Sequence, residues 1–424
     1  MNKNKIGFIG LSHLGIIYSL SAADKGFKVY AYDNNSKIIS NLNRGINIIK
    51  EPKVEKNLKT SLKNKNIIFT DNIDELKNCN IVFISSDVET NKKGESNLYK
   101  INNSISKIKK CFDLKKILII LSQIPPEYID KIKYPKEKLY YQVETLIFGQ
   151  ALKRANKPER IIVGMYNELK KVNPYYLDYL NSYDAPKLFM NYKSAELTKI
   201  AINMFLISSV SMTNYLSKIC EKSGANWFSI KKALQLDKRI GKNAYLDPGL
   251  GLSGGNLERD LRTLSNYSNK LKLNDNLLKS YYSISNQNKT WVQDLVEKIL
   301  IKNNFKLNIS LLGISYKENT NSLKNSPSIE LVKKFKKIDF KYYDSLVIKT
   351  KFKNLKKLNT INAVISNSNL LIIFNRSNEF KKINLKILSN MKKRRIIIDP
   401  FGVLKHLDLK KINAKYYRMG IKNN

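Results

Sequence analysis

The chain has 424 residues, 42% of them hydrophobic, which is enough for two or three domains with real cores and excludes wholesale disorder. Its formal charge of +41 is spread over scattered lysines, with no aromatic interleaving at a recognisable binding module, so acidic ligands are favoured and no specific nucleic-acid partner is expected. No apolar run reaches the ~18 residues of a membrane span. The three widely spaced cysteines (Cys79, Cys111, Cys220) suggest neither a disulfide framework nor a metal site, and they suit a reducing, cytoplasmic compartment.

In chain order, residues 5–33 read strand, tight turn, helix, strand. Ile6-Gly-Phe-Ile-Gly10 leads into Leu-Ser-His-Leu14-Gly15, an apolar helix follows, and Val29-Tyr-Ala-Tyr-Asp33 is the next strand. The opening strand belongs to the fold and is not read as a cleavable signal. This is a dinucleotide fingerprint with the spacing Gly10-x-Ser12-x-x-Gly15. The usual middle glycine lets the backbone approach a pyrophosphate closely. Ser12 sets the pyrophosphate slightly farther off or offers it a hydroxyl. Asp33 ends the second strand, where a carboxylate binds a ribose 2′-OH and repels a 2′-phosphate, so NAD is expected over NADP. Gly10, Ser12, Leu14, Gly15 and Asp33 are the candidate cofactor residues.

Ile67-Ile-Phe, Ile81-Val-Phe-Ile, Ile117-Leu-Ile-Ile-Leu and Ile161-Ile-Val-Gly are short β-branched runs between polar segments. That rhythm predicts a parallel, doubly wound sheet. Ligands gather at the carboxyl ends of such strands. Ser122, with Gln123 and Pro125, therefore lies on the functional edge and joins the cofactor set. Glu144 follows another short apolar run and is placed similarly.

A long helix is expected from Ser194 to Glu221. Leu197, Ile200, Ala201, Met204, Phe205, Ser208, Ser211 and Met212 form an apolar stripe, Ser194 is the N-cap, and Gly224 is a stop signal. Lys199 and Asn203 sit four apart on one face. A lysine beside a carboxamide can hold and polarise a substrate oxygen that gains charge; a solvated lysine with a chance neighbour has the same spacing. Beyond the helix, Tyr245-Leu-Asp-Pro-Gly249-Leu-Gly251-Leu-Ser-Gly254-Gly255-Asn256 reads as a phosphate-cradling loop or a surface linker. The helix-like segment after it, through Asp260, favours the cradle. A further helix is expected over about 273–300, then a second alternating unit with Leu307–Gly313, Phe340–Asp344, Leu370–Phe374 and Ile396–Asp399. The lysine- and asparagine-rich stretches 55–66 and 351–362 read as solvated helix faces or loops. The expected fold is α/β: two Rossmann-like doubly wound domains bridged by a long central helix. Residues 1–190 form the N-terminal dinucleotide-binding domain, 191–300 a central helical region, and 301–424 a second α/β domain of nucleotide-binding type.

Over nearly its whole length the sequence resembles the UDP-glucose/GDP-mannose dehydrogenase family. The likeness rests on Asn43-x-Gly45 with Glu51-Pro52, on Pro158-Glu-Arg160-Ile-Ile-Val-Gly164, and on Ser194-Ala-Glu-x-x-Lys199-x-x-x-Asn203. It continues through Arg239-Ile-Gly241, the glycine loop ending in Asp260, and Gly313-Ile-Ser-Tyr-Lys317 followed by Asn325-Ser-Pro327. The resemblance implies oxidation of a sugar C6 alcohol to a carboxylate with two NAD, on a nucleotide-sugar substrate, in a homodimer. It implies that Lys199 and Asn203 stabilise the C6 oxygen, that Asp260 assists proton transfer, and that Glu144 is the glutamate of a strand-end motif. Tyr245 and the loop from Gly249 to Gly255 would contact the diphosphate, and Lys317 the sugar or phosphate. Arg239 would reach the partner's substrate.

The sequence also departs from the family pattern. The nucleophilic cysteine four residues before the aspartate is Asn256 here. A threonine is replaced by Gln123, a second glutamate by Phe148, and a Thr-Pro pair by Val88-Glu89. A cysteine traps the aldehyde as a thiohemiacetal that a second hydride transfer converts to a thioester; a carboxamide cannot. The expected chemistry is therefore alcohol oxidation without a cysteine thioester step. The alternatives are a single oxidation of another nucleotide-linked alcohol and a non-catalytic nucleotide-sugar binder.

Overall fold

The computed structural model describes residues 4–90, 96–112, 114–253, 256–302 and 307–423. The chain divides into two compact units, Met1–Ile202 and Asn203–Asn424.

The first unit contains β1 (Lys5–Ile9), α1 (His13–Asp24), β2 (Lys28–Tyr32), β3 (Ile67–Thr70), β4 (Ile81–Ile84), α2 (Tyr99–Phe112) and β5 (Ile117–Ile120), followed by β6 (Leu139–Gln142), β7 (Ile161–Met165) and β8 (Lys187–Asn191). The strands form one sheet in the order β8-β7-β6-β5-β4-β1-β2-β3. Both faces are covered. Ile6, Phe8 and Phe83 face one core, while Ile9, Val82 and Ile84 face the other. Burial on both faces is why the central strands read as unbroken apolar runs.

The expected all-parallel arrangement fails at one place: β7 runs antiparallel to β6. A parallel return needs a crossover long enough to carry the chain back along the sheet. Between β6 and β7 the chain has only the short helical turn Ala151–Asn156, so it enters β7 from the same end.

The central helix, α3, spans Tyr192–Ser223, 32 residues, and carries the chain from the first unit into the second. It starts two residues before the expected Ser194. Asn191 is the true cap, its side-chain oxygen accepting the Ser194 N–H at 2.9 Å. Gly224 ends the helix as expected, with φ +86°. The predicted stripe splits into two faces. Ile200 and Ser211 are buried, with Ile207 beside them, whereas Leu197, Phe205 and Met212 are exposed, together with Tyr215 and Ile219.

The second unit continues with α4 (Trp227–Leu236), α5 (Asn256–Lys270), α6 (Asn276–Lys289) and α7 (Trp291–Lys302). The single helix expected over 273–300 is therefore two, broken at Thr290. Then come β9 (Ile309–Leu312), α8 (Pro327–Lys334), β10 (Phe340–Tyr343), β11 (Leu355–Lys357), β12 (Leu370–Ile373), β13 (Ile396–Ile398) and β14 (Lys415–Tyr417). Its sheet is parallel throughout, ordered β11-β10-β9-β12-β13-β14. The stretch 351–362, expected to be solvated, holds edge strand β11 with Leu355 buried. Both sheets contain the same order, third-second-first-fourth-fifth-sixth, which is the dinucleotide-fold order. In each, the strand order reverses between the first and fourth strands, and ligands of such sheets bind in the crevice there.

Candidate active site

In the first unit the reversal point lies between β1 and β4, and the Gly10–Gly15 turn sits there. Gly10 has φ +95°, and a Cβ on it would run into Ser86. A Cβ on Gly15 would strike the Gly10 carbonyl oxygen. The turn is therefore closed enough to bring α1's first N–H groups to an anion. Leu14 is buried in the core and anchors that first turn. Ser12 precedes α1 without capping it through its side chain. Its hydroxyl instead donates to the Ser85 carbonyl at 3.1 Å and accepts the Asp87 N–H at 2.9 Å. The serine that replaces a glycine thus ties the β1 turn to the β4 turn. Ser122, fully buried, donates to the Ser86 carbonyl at 2.6 Å and extends the tie to β5. Asp33 accepts the Leu11 N–H at 2.8 Å with one oxygen and the Asn35 N–H at 3.0 Å with the other, fixing its carboxylate at the end of β2. A turn closed by two glycines, a helix N-terminus uncapped by its serine, and a fixed strand-end carboxylate fit a dinucleotide.

Also in the first unit, Lys199 and Glu144 come together. The Lys199 ammonium lies 2.8 Å from the Glu144 carboxylate and donates to the Glu144 carbonyl at 2.9 Å. Their side chains are only 11% and 13% exposed, which excludes a solvated lysine. Glu144 also accepts the Leu146 N–H at 3.0 Å, so the carboxylate is held from its own loop. Deeper in, Glu196, one turn before Lys199 and nearly solvent-free, accepts the N–H groups of Glu127, Tyr128 and Ile129 at 2.7, 3.0 and 2.8 Å. Nothing in the sequence signals this anchor, because a glutamate on a polar helix start is ordinary.

In the second unit, buried Asn203 donates its amide to buried Asp260. Arg259, itself buried, donates to the other Asp260 oxygen at 3.1 Å. Neighbouring residues on a helix do not usually face each other, so this arginine was not foreseeable from spacing. Asn256 is the exposed first residue of α5. Before it, the Gly249 N–H is held by the Asn214 side chain at 2.8 Å, and Gly251, at φ +73°, packs on the Ser285 carbonyl. Leu252 donates to the Ser285 hydroxyl at 2.9 Å. This part of the loop is pinned to α3 and α6, unlike a surface linker. Gly254 and Gly255 lie outside the described residues. Tyr245 has an exposed ring, and its carbonyl accepts from Thr213 at 2.8 Å. Arg239 is 88% exposed and paired with Asp237 at 2.6 Å. Lys317 follows β9 at the reversal point of the second sheet and lies over the Tyr316 ring, its ammonium 5.7 Å from the centroid.

All three cysteines are free thiols. Cys79 is buried before β4, and burial pushes its thiol up to about 12. Cys220 is buried near the end of α3 and is likewise raised by burial. Cys111 lies on α2. Among the described residues no cluster of three or more His, Cys, Asp or Glu could hold a metal, and no helix is long and apolar enough to cross a membrane.

Comparison with known proteins places this geometry. Three family models match in chain order, all from the UDP-glucose/GDP-mannose dehydrogenase family: the NAD binding domain over residues 4–176, the central domain over 193–287, and the UDP binding domain over 310–406. The UDP-glucose 6-dehydrogenase of Rickettsia typhi is 30% identical over 442 residues, covering 98% of this chain and 99% of that protein. The chain belongs to the UDP-glucose/GDP-mannose dehydrogenase family. It is an NAD-dependent oxidoreductase acting on a CH–OH group, and its substrate class is the nucleotide sugars. The UDP-N-acetyl-D-mannosamine dehydrogenase of Pyrococcus horikoshii is 24% identical to this dehydrogenase over 420 residues, covering 95% of this chain and 96% of that one. Among solved structures, a UDP-glucose dehydrogenase from Pyrobaculum islandicum shares the fold with a TM-score of 0.87 at 22% identity, covering 99% of this chain and 98% of that one.

Proposed function

We propose that this dehydrogenase oxidises the sugar alcohol of a nucleotide sugar by hydride transfer without a cysteine thioester. The reading rests on one observation above all: Asn203 hands its amide to the Asp260 carboxylate in a buried pair, at the start of a helix whose exposed first residue is an asparagine. Lys199 and Asn203, one turn apart on α3, hold the alcohol oxygen. An ammonium has three protons, and Glu144 engages two, through its carboxylate and its carbonyl, leaving one for substrate. Asp260 takes the alcohol proton, directly or through water. NAD, when bound, accepts the hydride. Asn256 supplies no nucleophile, so any second oxidation proceeds through the hydrated aldehyde. The other thiols do not substitute for it. Cys220 is 21 residues beyond Lys199 on one helix, roughly 30 Å away at 1.5 Å per residue. Cys79 and Cys111 precede their strands, at the edge opposite the carboxyl ends. Tyr245, Gly249, Gly251 and Lys317 serve the diphosphate and sugar, within the division 1–190, 191–300 and 301–424.

The test is rapid acid quench during turnover with a panel of nucleotide sugars, followed by mass spectrometry of the intact protein and NADH counted per substrate. We expect no protein adduct, and turnover within about threefold of wild type when all three cysteines are replaced. A thioester-sized adduct on a cysteine, or collapse of activity in the cysteine-free variant, sinks the mechanism. Tight binding with no turnover on any sugar points to a binder.

The same reading includes a homodimer in which Arg239 reaches the partner's substrate. It is supported by the exposed apolar row Phe205, Met212, Tyr215 and Ile219 on α3, since soluble monomers rarely leave such patches uncovered. Sedimentation at micromolar concentration should give a dimer, and Phe205→Glu should shift it toward monomer. A wild-type monomer, or full activity in Arg239→Ala, refutes the shared site.

A further inference from the structure

The Glu51-Pro52 motif has no part in the chemistry above, yet Glu51 is a carboxylate with three hydrogen-bond partners near the cofactor turn. Its side chain is 1% exposed. One oxygen receives the His13 ring Nε2 at 3.0 Å and the Gly149 N–H at 2.8 Å; the other receives the Ala151 N–H at 3.3 Å. Burial alone would raise this carboxyl. The His13 ring and the two backbone N–H groups outweigh it and hold the group below its ordinary value. A carboxylate only accepts, so Nε2 carries the proton in this bond. The His13 ring is gripped a second time by Phe148, whose ring lies 4.4 Å away, centroid to centroid, tilted by 42°.

The three partners come from two places that both matter to the reaction. His13 is the first residue of α1, where the dinucleotide turn delivers its N–H groups to the pyrophosphate. Gly149 and Ala151 belong to the segment after β6 that also carries Glu144, the partner of Lys199. Glu51 is a buried group that bonds to both. We infer that Glu51 is a positioning residue of the NAD site: through His13 it fixes the entry of α1, and through Gly149 and Ala151 it fixes the Glu144 segment against that entry. The inference rests on the NAD site and not on which sugar is oxidised.

A glutamine at position 51 keeps the shape but loses the charge. It also presents an amide donor where two N–H groups and the ring donate, so at least one donor is turned out. Expected in Glu51→Gln is an NADH dissociation constant raised about tenfold, the low end for losing a hydrogen bond to a charged group. The measurement is calorimetric titration of NADH into the full-length protein, independent of turnover. His13→Gln should weaken NADH by a similar factor. The double variant should be no more than about threefold weaker than either single one, because both remove the same coupling. A general structural role predicts lowered thermal stability with unchanged NADH affinity, and that result overturns the inference. So do fully multiplicative effects of the two substitutions. Should Glu51→Gln fail to fold, His13→Gln alone decides, since unchanged NADH affinity there is equally fatal. Failure of the wild type to bind NADH would instead strike the NAD assignment itself.

Discussion

Lys199→Ala is expected to slow the hydride step by about 10²–10³, the scale for losing one donor to a developing oxyanion. In the protein the ammonium is held in place by the carboxylate and carbonyl of Glu144 and is nearly shielded from water. Its field is therefore aimed before substrate arrives, and little reorganisation is needed as charge develops. Removing it also leaves the Glu144 carboxylate without its cation, which adds a negative charge where negative charge is building. Single-turnover formation of NADH at saturating substrate isolates the step. Nucleotide-sugar affinity should change far less than the rate, because the phosphate contacts proposed above, Tyr245, Gly249, Gly251 and Lys317, do not include Lys199. A single-turnover rate within tenfold of wild type would remove Lys199 from the chemistry.

The second large effect is on stability. Glu196→Ala removes the acceptor of three successive backbone N–H groups, those of Glu127, Tyr128 and Ile129. Each buried donor left unsatisfied costs about 1–3 kcal/mol, so the first unit should lose about 3 kcal/mol or more. Glu196→Gln keeps one oxygen and should lose clearly less. Urea unfolding of the two variants and the wild type measures this through the midpoint at constant slope. An alanine variant within about 1 kcal/mol of wild type would mean that water or a shifted turn satisfies those donors.

Much of the fold could be read from the sequence because its central strands are buried on both faces. β4, β5 and β12 are therefore unbroken runs of Ile, Leu, Val and Phe, while β1 and β9 keep the apolar run around a single small residue, Gly7 and Ser310. The strands that went unseen, β8, β11 and β14, are all at sheet edges. Edge strands share a face with solvent, so Lys187–Asn191 mixes exposed Leu188 and Phe189 with lysine and asparagine, and Leu355-Lys-Lys357 carries one apolar residue. The direction of β7 was hidden for another reason. Its residues are those of any buried strand, and the reversal is decided by the short connection before it. The break between α6 and α7 has no glycine or proline to announce it.

The candidate site was legible where chemistry constrains spacing along one element. Lys199 and Asn203 are one helical turn apart, and the Gly10–Gly15 turn has its own signature. Their partners were harder. Glu144 had been placed at a strand end, but its pairing with Lys199 spans 55 residues of chain. Arg259 beside Asp260, and Glu51 beneath His13, depend on packing that no local pattern encodes. The Ser12 hydroxyl, which the sequence left either to meet a pyrophosphate or to hold it farther off, donates to Ser85 and accepts from Asp87.

The two buried thiols have a use apart from chemistry. Cys79 lies in the first unit and Cys220 in the second, each sealed from solvent and each with its thiol raised by burial. A raised thiol forms little thiolate, and the thiolate is the form that alkylating reagents attack. Neither residue is open to modification until the structure around it breathes, so each unit carries its own internal clock of local opening.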